Sequence, residues 1–439
     1  MENGEELGEE MERWESFWRF LKLIMLGICY IYFTLAFLRH RGLSLLLVAR
    51  SLSFHSLVSN NNMSILSHSP LSGFPADTPS PFLFLVYHSD NYPAGNSKME
   101  APIRGNGAHF DPSAPYRMYH GDKIPGFPQH PHRGFETITA TMSGIIDHAD
   151  SHGNAGRYGS GDLQWMTAGS GVVHGEMFPL VNQDKNNKNR FFQIWLNLPK
   201  KDKMTPPKFA MHWAEDVVKH TNDSGAKLTL FAGQFNGLTA LSPTPASWAS
   251  NPDNDVGIFH ITLPLPNATI TIPPSAKSSV NRALYCIETR QAPASASASA
   301  SKASASAGSS YSVDGESFSS TKMFTLDAKM PTTITSLGGG GSVEFLVLQG
   351  RSIDEPIAKH GPFVMNTQEE IQQAFSDYRK TEFGGWPWPK DSMVFPIEKG
   401  RFSLLDNEET YPPGWSGKWI KTKKEEFLIR KKSFEYAIA

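Results

Sequence analysis

Cysteine is nearly absent from this chain of 439 residues, in which Cys29 and Cys286 are the only two. Two thiols cannot build a disulfide framework, so small stapled secreted scaffolds are excluded and free thiols in a reducing compartment are expected. An excess of charge is missing as well. The formal net charge is −2, and no global field argues for nucleic acid or an anionic membrane surface. Long apolar runs are also missing, except near the start. LIMLGICYIYFTLAFL, Leu23 to Leu38, holds sixteen residues without a charge. As a helix it is about 24 Å long, short of a hydrocarbon core of ~30 Å. Extended back to Phe17, with Arg19 and Lys22 reaching for the interface, residues 17–38 become long enough for a membrane anchor. The acidic start argues against a cleaved signal peptide. The competing reading is an upstream extension, with initiation near Met63 or Met99.

What the chain does have is histidine in pairs. His130 and His132 precede the strand-like Phe135, Thr137, Ile138 and Thr139, and the i, i+2 spacing puts both imidazoles on one face of a strand. The spacing recurs after Val172 and Val173 as His174 and Glu176. A single His-x-His is more often a solvated or carboxylate-paired strand motif than a site. The second pair, with glycine-rich turns between, tips the balance toward two neighbouring strands aimed at one interior. Three imidazoles and a carboxylate suit iron, with zinc, copper, nickel or manganese chemically admissible. Four such donors would leave open positions on a six-coordinate ion for water, dioxygen or an organic oxygen.

Three blocks, HPHRGFET, GDLQWMTAGSGVVHGEM and DEPIAKHGPFVMNT, resemble the pirin family. The resemblance implies an all-β fold, two cupin (jelly-roll-type) β-barrels in tandem with a short C-terminal helix packed back on the first barrel. It also implies iron, Fe(II)/Fe(III), held by His130, His132, His174 and Glu176. A general cupin would instead use Glu136. Alternation from His132 puts Glu136 on the same strand face, and it is expected to orient a ligand imidazole. Two functions go with the family: quercetin 2,3-dioxygenase-like enzymes that open a flavonol with dioxygen, and nuclear iron-dependent, redox-sensing coregulators of a transcription factor. The ligands serve both equally, and the enzyme reading is preferred here. A monomer without direct nucleic-acid binding is expected, in the cytoplasm and/or nucleus, or membrane-anchored if residues 17–38 are an anchor.

The domain reading follows the composition. Residues 1–80 form an extension that ends in a Ser-, Asn- and Pro-rich linker. Residues 81–199 form the metal-binding barrel, opened by PFLFLVYHSDNYP, which departs from the family at His88, Ser89 and Asp90, and closed by FFQIWLNLP. Within it, Asp147, His148, Asp150 and His152 beside Gly153 read as turn chemistry rather than a second metal site. Phe135, Trp165, Met166 and Phe178 are candidate cavity walls or plain core. Residues 200–226 are a connector whose lysines read as a solvated face. Residues 227–380 form the second barrel, where His260 has no His-x-His partner and no metal is expected. The Ala/Ser-rich stretch 291–310 interrupts it as a disordered loop. Thr367 and Glu370 make a capping box before Ile371, Ala374, Phe375 and Tyr378, predicting a helix over 368–380. Residues 381–439 are an extension.

Overall fold

The computed structural model describes residues 63–414, except 103, 108–113, 265, 290–308 and 339–340, and also 420–421 and 427–428. The apolar segment 17–38, Cys29 and nearly all of the Ala/Ser-rich insertion lie outside these residues. No helix among the described residues is long and apolar enough to cross a membrane.

Antiparallel strands dominate, as the short apolar runs and glycine turns predict. β1 (Ile65–Pro70) lies inside the stretch read as linker, and pairs with Lys322–Asp327 far along the chain. β2 (Phe82–Tyr92), β4 (Phe135–Ser143), β7 (Leu163–Thr167), β9 (Asn187–Asn197) and β10 (Lys208–His212) make a five-stranded sheet in the order β10-β7-β4-β9-β2. Facing it, β3 (Gly126–His132), β5 (Ile145–Asp150), β6 (Ala155–Gly159) and β8 (Val172–Met177) run in the order β6-β5-β8-β3. Together these sheets are the first barrel.

The second barrel begins within the connector. β11 (Val218–Thr221), β12 (Lys227–Ala232), β15 (Gly257–Leu263), β17 (Val280–Thr289), β20 (Lys322–Asp327) and β22 (Val343–Arg351) join β1 in a seven-stranded sheet. β13 (Gln234–Phe235) and β14 (Leu238–Thr239) form a small hairpin. β16 (Thr269–Ile272), β18 (Ser310–Val313), β19 (Glu316–Phe318) and β21 (Thr332–Gly338) form the opposite sheet. Between these two sheets Leu228, Leu230, Phe259, Ile261, Phe324 and Phe345 make one buried core. Cys286 is buried there, its thiol pushed up to about 12 by burial, which makes it inert. His260 is a structural side chain, as expected, with Nε2 3.1 Å from the Glu344 carboxylate.

Alternation explains how the barrels join. On β4, Ile138 and Ala140 face outward with Leu85, Trp165, Phe192 and Ile194, and pack on Ile258, Tyr285, Leu346 and Leu348 of the second barrel. The odd-numbered positions of β4 and β9 therefore line the interior of the first barrel.

After β23 (Ala358–His360) and β24 (Phe363–Met365), α1 (Gln368–Thr381) begins at the expected capping box, with the Thr367 side chain and Glu370 exchanging hydrogen bonds with each other's backbone. The helix returns to the first barrel through Arg133, whose guanidinium meets Asp377 at 2.7 Å and lies 4.4 Å over the Phe383 ring. The described residues directly beyond it are integral to the fold. β25 (Phe402–Leu405) and β26 (Glu408–Thr410) extend the sheet of the first barrel beyond β6.

Candidate metal centre

β3 and β8 are adjacent and antiparallel, with His130 directly opposite His174 and His132 opposite Val172. The recurring i, i+2 spacing thus converges three imidazoles. Ring centroids are 4.8 Å apart for His130 and His132, 4.5 Å for His130 and His174, and 5.0 Å for His132 and His174. One candidate ligand atom from each lies within 4.8 Å of the others, and among the described residues no other such group of three is present.

The local chain explains the rigidity of this group. A register irregularity between Phe127 and His130, at Pro128, lets the His130 Nδ1–H reach the Pro128 carbonyl at 2.8 Å. That bond fixes the tautomer and leaves the Nε2 lone pair free, the usual device for orienting a ligand imidazole. After His132 the strand breaks. Gly134 turns at φ +85°, and its carbonyl, with those of Val364 and the Asn197 side chain, receives the Lys203 ammonium at 2.7 to 3.1 Å. Lys203 is 1% exposed. This corrects the reading of the connector lysines as uniformly solvated, and burial pulls its pKa down to about 8.

Electrostatics favour neutral rings. Burial lowers His130, and lowers His132 and His174 far more, with neighbouring imidazoles adding to it. Neutral imidazole is the form a metal binds. Nδ1 of His132 and both ring nitrogens of His174 are buried without a hydrogen-bond partner. Buried polar atoms are rarely left so, and a bound cation would explain them. The donor set fits a divalent first-row ion.

Glu176 sits two residues beyond His174 on the same strand but outside the group of three. Its Oε1 accepts from Thr139 Oγ1 at 3.0 Å and the Tyr158 hydroxyl at 3.2 Å, and its Oε2 from Gln193 Nε2 at 2.7 Å. A carboxylate oxygen has two acceptor directions, so Oε2 keeps one in reserve. Thr139 and Gln193 are the interior positions of β4 and β9 that alternation supplies. They escaped the sequence reading because polar strand residues there look like a solvated face.

Glu136 does not orient a ligand imidazole, contrary to the expectation. The break at Gly134 interrupts the alternation counted from His132, and Glu136 restarts it on the outward face with Ile138 and Ala140. Its carboxylate accepts from Trp165, Thr167, Thr244 and Ser247, the last two from the loop between β14 and β15 of the second barrel. Burial nevertheless lifts its pKa to about 7.

Of the candidate walls, only Phe135 touches a ligand ring, 5.0 Å from His132, while Trp165, Met166 and Phe178 belong to three different apolar clusters. Trp195, not singled out in the sequence, lies 5.4 Å from His132 and 4.6 Å from Phe84. The DHAD stretch read as a turn is strand β5, paired with the ligand strand. His148 lies opposite Glu176 and Asp150 opposite His174.

Comparison with known proteins agrees with this geometry. The Pirin family model matches residues 80–196 and that of the pirin C-terminal cupin domain residues 261–384. A Pseudomonas aeruginosa protein named provisionally as a quercetin 2,3-dioxygenase is 34% identical over 261 residues, 59% of this chain and 80% of its own length. A pirin-like protein of Solanum lycopersicum is 31% identical over 264 residues, 58% of this chain and 75% of its own. The crystal structure of a quercetin 2,3-dioxygenase from Acinetobacter baumannii superposes with a TM-score of 0.53 at 25% identity, covering 70% of this chain and 87% of that one. Tandem cupin barrels, a histidine cluster in the first of them and two matching domain models lead to one assignment: this chain belongs to the pirin family.

Proposed function

We propose that the chain is an iron-dependent dioxygenase of flavonol-like substrates, with His130, His132, His174 and Glu176 as the metal-binding residues. The observation that carries this reading is the convergence of three imidazoles on one point, with Nδ1 of His132 and both ring nitrogens of His174 buried without a hydrogen-bond partner. Iron bound there supplies Lewis acidity and a path for electrons to dioxygen. The chain supplies the rest. The Pro128 carbonyl sets the His130 tautomer. Thr139 and Tyr158 occupy Glu176 Oε1, whereas Oε2 accepts from Gln193 alone, so Oε2 is the oxygen that would serve an ion or accept a substrate hydroxyl proton. Phe84, Phe135 and Trp195 present flat apolar surface beside His132, and the Lys359 ammonium lies 5.3 Å over the Trp195 ring. A planar polyphenol with an anionic oxygen suits such a wall.

The test is metal analysis of the purified chain, then quercetin added without oxygen, then air. The expected result is a shifted optical spectrum on anaerobic mixing, absent in His174→Ala, and carbon monoxide release on aeration. Full iron loading with neither change would overturn the enzyme and leave the iron-dependent coregulator as the working function.

A further inference from the structure

β5 and β8 bring four polar side chains face to face, and only two of them belong to the proposed ligand set. Asp150 is directly opposite His174, and His148 directly opposite Glu176. Directly opposed residues point to the same face of a sheet, so the β5 pair shares the face that carries His174 and Glu176. His148 and His174 are both wholly inaccessible, and their ring centroids are 5.5 Å apart. Neither nitrogen of either ring has a hydrogen-bond partner, although His148 Nε2 lies 3.5 Å from Asp150 Oδ2. His148 is nonetheless outside the group that converges on one point.

A metal accounts for one nitrogen of His174 and leaves the other, together with both of His148. A ligating imidazole normally donates its remaining N–H to a carboxylate, carbonyl or water, which fixes its tautomer and raises its basicity. His130 has the Pro128 carbonyl for this. No carbonyl or carboxylate hydrogen-bonds to His174, and the nearest imidazole that is not itself a ligand is His148.

We propose that His148 is the positioning residue of His174: it accepts the N–H that His174 turns away from the metal, directly or through one water, and aims its own N–H at Asp150. The result is a chain from Asp150 through His148 and His174 to the metal. It rests on the reading of His130, His132 and His174 as metal-binding. Its far end is fixed independently. Asp150 Oδ1 accepts from the backbone N–H groups of His152 and Asn154 at 2.8 and 3.0 Å, and Oδ2 from Asn154 Nδ2 at 3.2 Å. The His148 ring is held edge-on by Phe209 at 5.3 Å. One arrangement thereby satisfies three otherwise partnerless nitrogens.

The experiment compares the full-length chain with His148→Phe, His148→Gln and His174→Ala. Fe(II) affinity is measured by chelator competition, apo-protein melting is measured alongside, and pulsed EPR of the Cu(II)-loaded proteins reads the remote nitrogens of the ligand imidazoles. The expected result is a fall in affinity of about 10–100-fold in His148→Phe. It should come with an altered remote-nitrogen coupling for one of three imidazoles, and with recovery of most of the affinity in His148→Gln. Should the Phe variant fail to fold, the Gln variant must still show the altered coupling. Wild-type affinity and coupling in both His148 variants, with metal lost in His174→Ala, would overturn this proposal alone. Four coordinated imidazoles falling to three in His148→Phe would overturn it in favour of direct ligation. Undiminished metal in His174→Ala would overturn the metal centre itself.

Discussion

Arg157 donates to both carboxylate oxygens of Asp147, at 2.6 and 2.7 Å, and both side chains are wholly buried. The pair is not self-contained. The same guanidinium donates to the carbonyls of Phe395, Pro396 and Lys399, and Asp147 accepts the Phe395 N–H. Strands β5 and β6 thereby hold the C-terminal extension, and Phe395 and Phe402 pack on Ala155 behind it. Removing one partner of such a pair leaves a buried charge uncompensated. Arg157→Met is therefore expected to cost about 3–5 kcal/mol. Urea denaturation measures this, and Asp147→Leu combined with Arg157→Met should recover part of the loss. An unchanged midpoint in the single variant would show that the extension does not depend on the pair.

The ligand assignment separates cleanly by substitution. His132→Ala and His174→Ala are expected to abolish stoichiometric metal, whereas Glu136→Gln should keep it, because Glu136 bonds outward to Thr244 and Ser247. Elemental analysis after chelator treatment and reloading decides this. Loss of metal in Glu136→Gln as complete as in Glu176→Ala would return Glu136 to the coordination sphere.

The histidine cluster was legible because a period of two survives folding wherever a strand stays regular, and β3 and β8 are regular where the ligands sit. Glu136 was misplaced because Gly134 breaks that period, and one glycine in a sequence does not announce on which face the next strand restarts. His148 was passed over because DHAD sits beside Gly153 and Asn154, whose turn chemistry masked a polar alternation on an interior strand. β1 was hidden for a different reason. ILSHSP is an edge strand whose residues are mostly exposed, and it has no apolar alternation to find.

Stability should depend on pH through Glu136. Burial lifts its pKa from 4.5 in the unfolded chain to about 7, against the four donors that favour the anion. Between these values the native state binds more protons than the unfolded one, so this contribution is full below about 4.5 and is lost as pH rises through about 7. The difference in unfolding free energy between wild type and Glu136→Gln, followed from pH 4 to 8 (roughly the window of the two pKa values), is expected to fall with pH. A flat difference would mean that the native carboxyl titrates as it does in the unfolded chain.

Truncation from the N-terminus is expected to be tolerated up to Met63 and not to Met99. A chain that begins at Met63 keeps β1, which pairs with β20 along the edge of the second barrel, and β2, which pairs with β9 from Phe82 to Tyr92. A chain that begins at Met99 loses both. With β2 go Phe82, Leu85 and Tyr87, which are buried in the layer between the barrels. Each large apolar side chain withdrawn from that layer costs about 1.5–3 kcal/mol. Three of them approach the whole net stability of a typical domain, about 5–15 kcal/mol. The β9 edge is also left open to pair with other chains. The shorter chain should therefore aggregate, while the longer one elutes as a single species and takes up metal. Size-exclusion chromatography with elemental analysis reads both. A soluble, metal-loaded chain from Met99 would show that β2 is dispensable. Aggregation of the chain from Met63, beside a full-length chain that behaves well in detergent, would show that the first sixty residues belong to the fold.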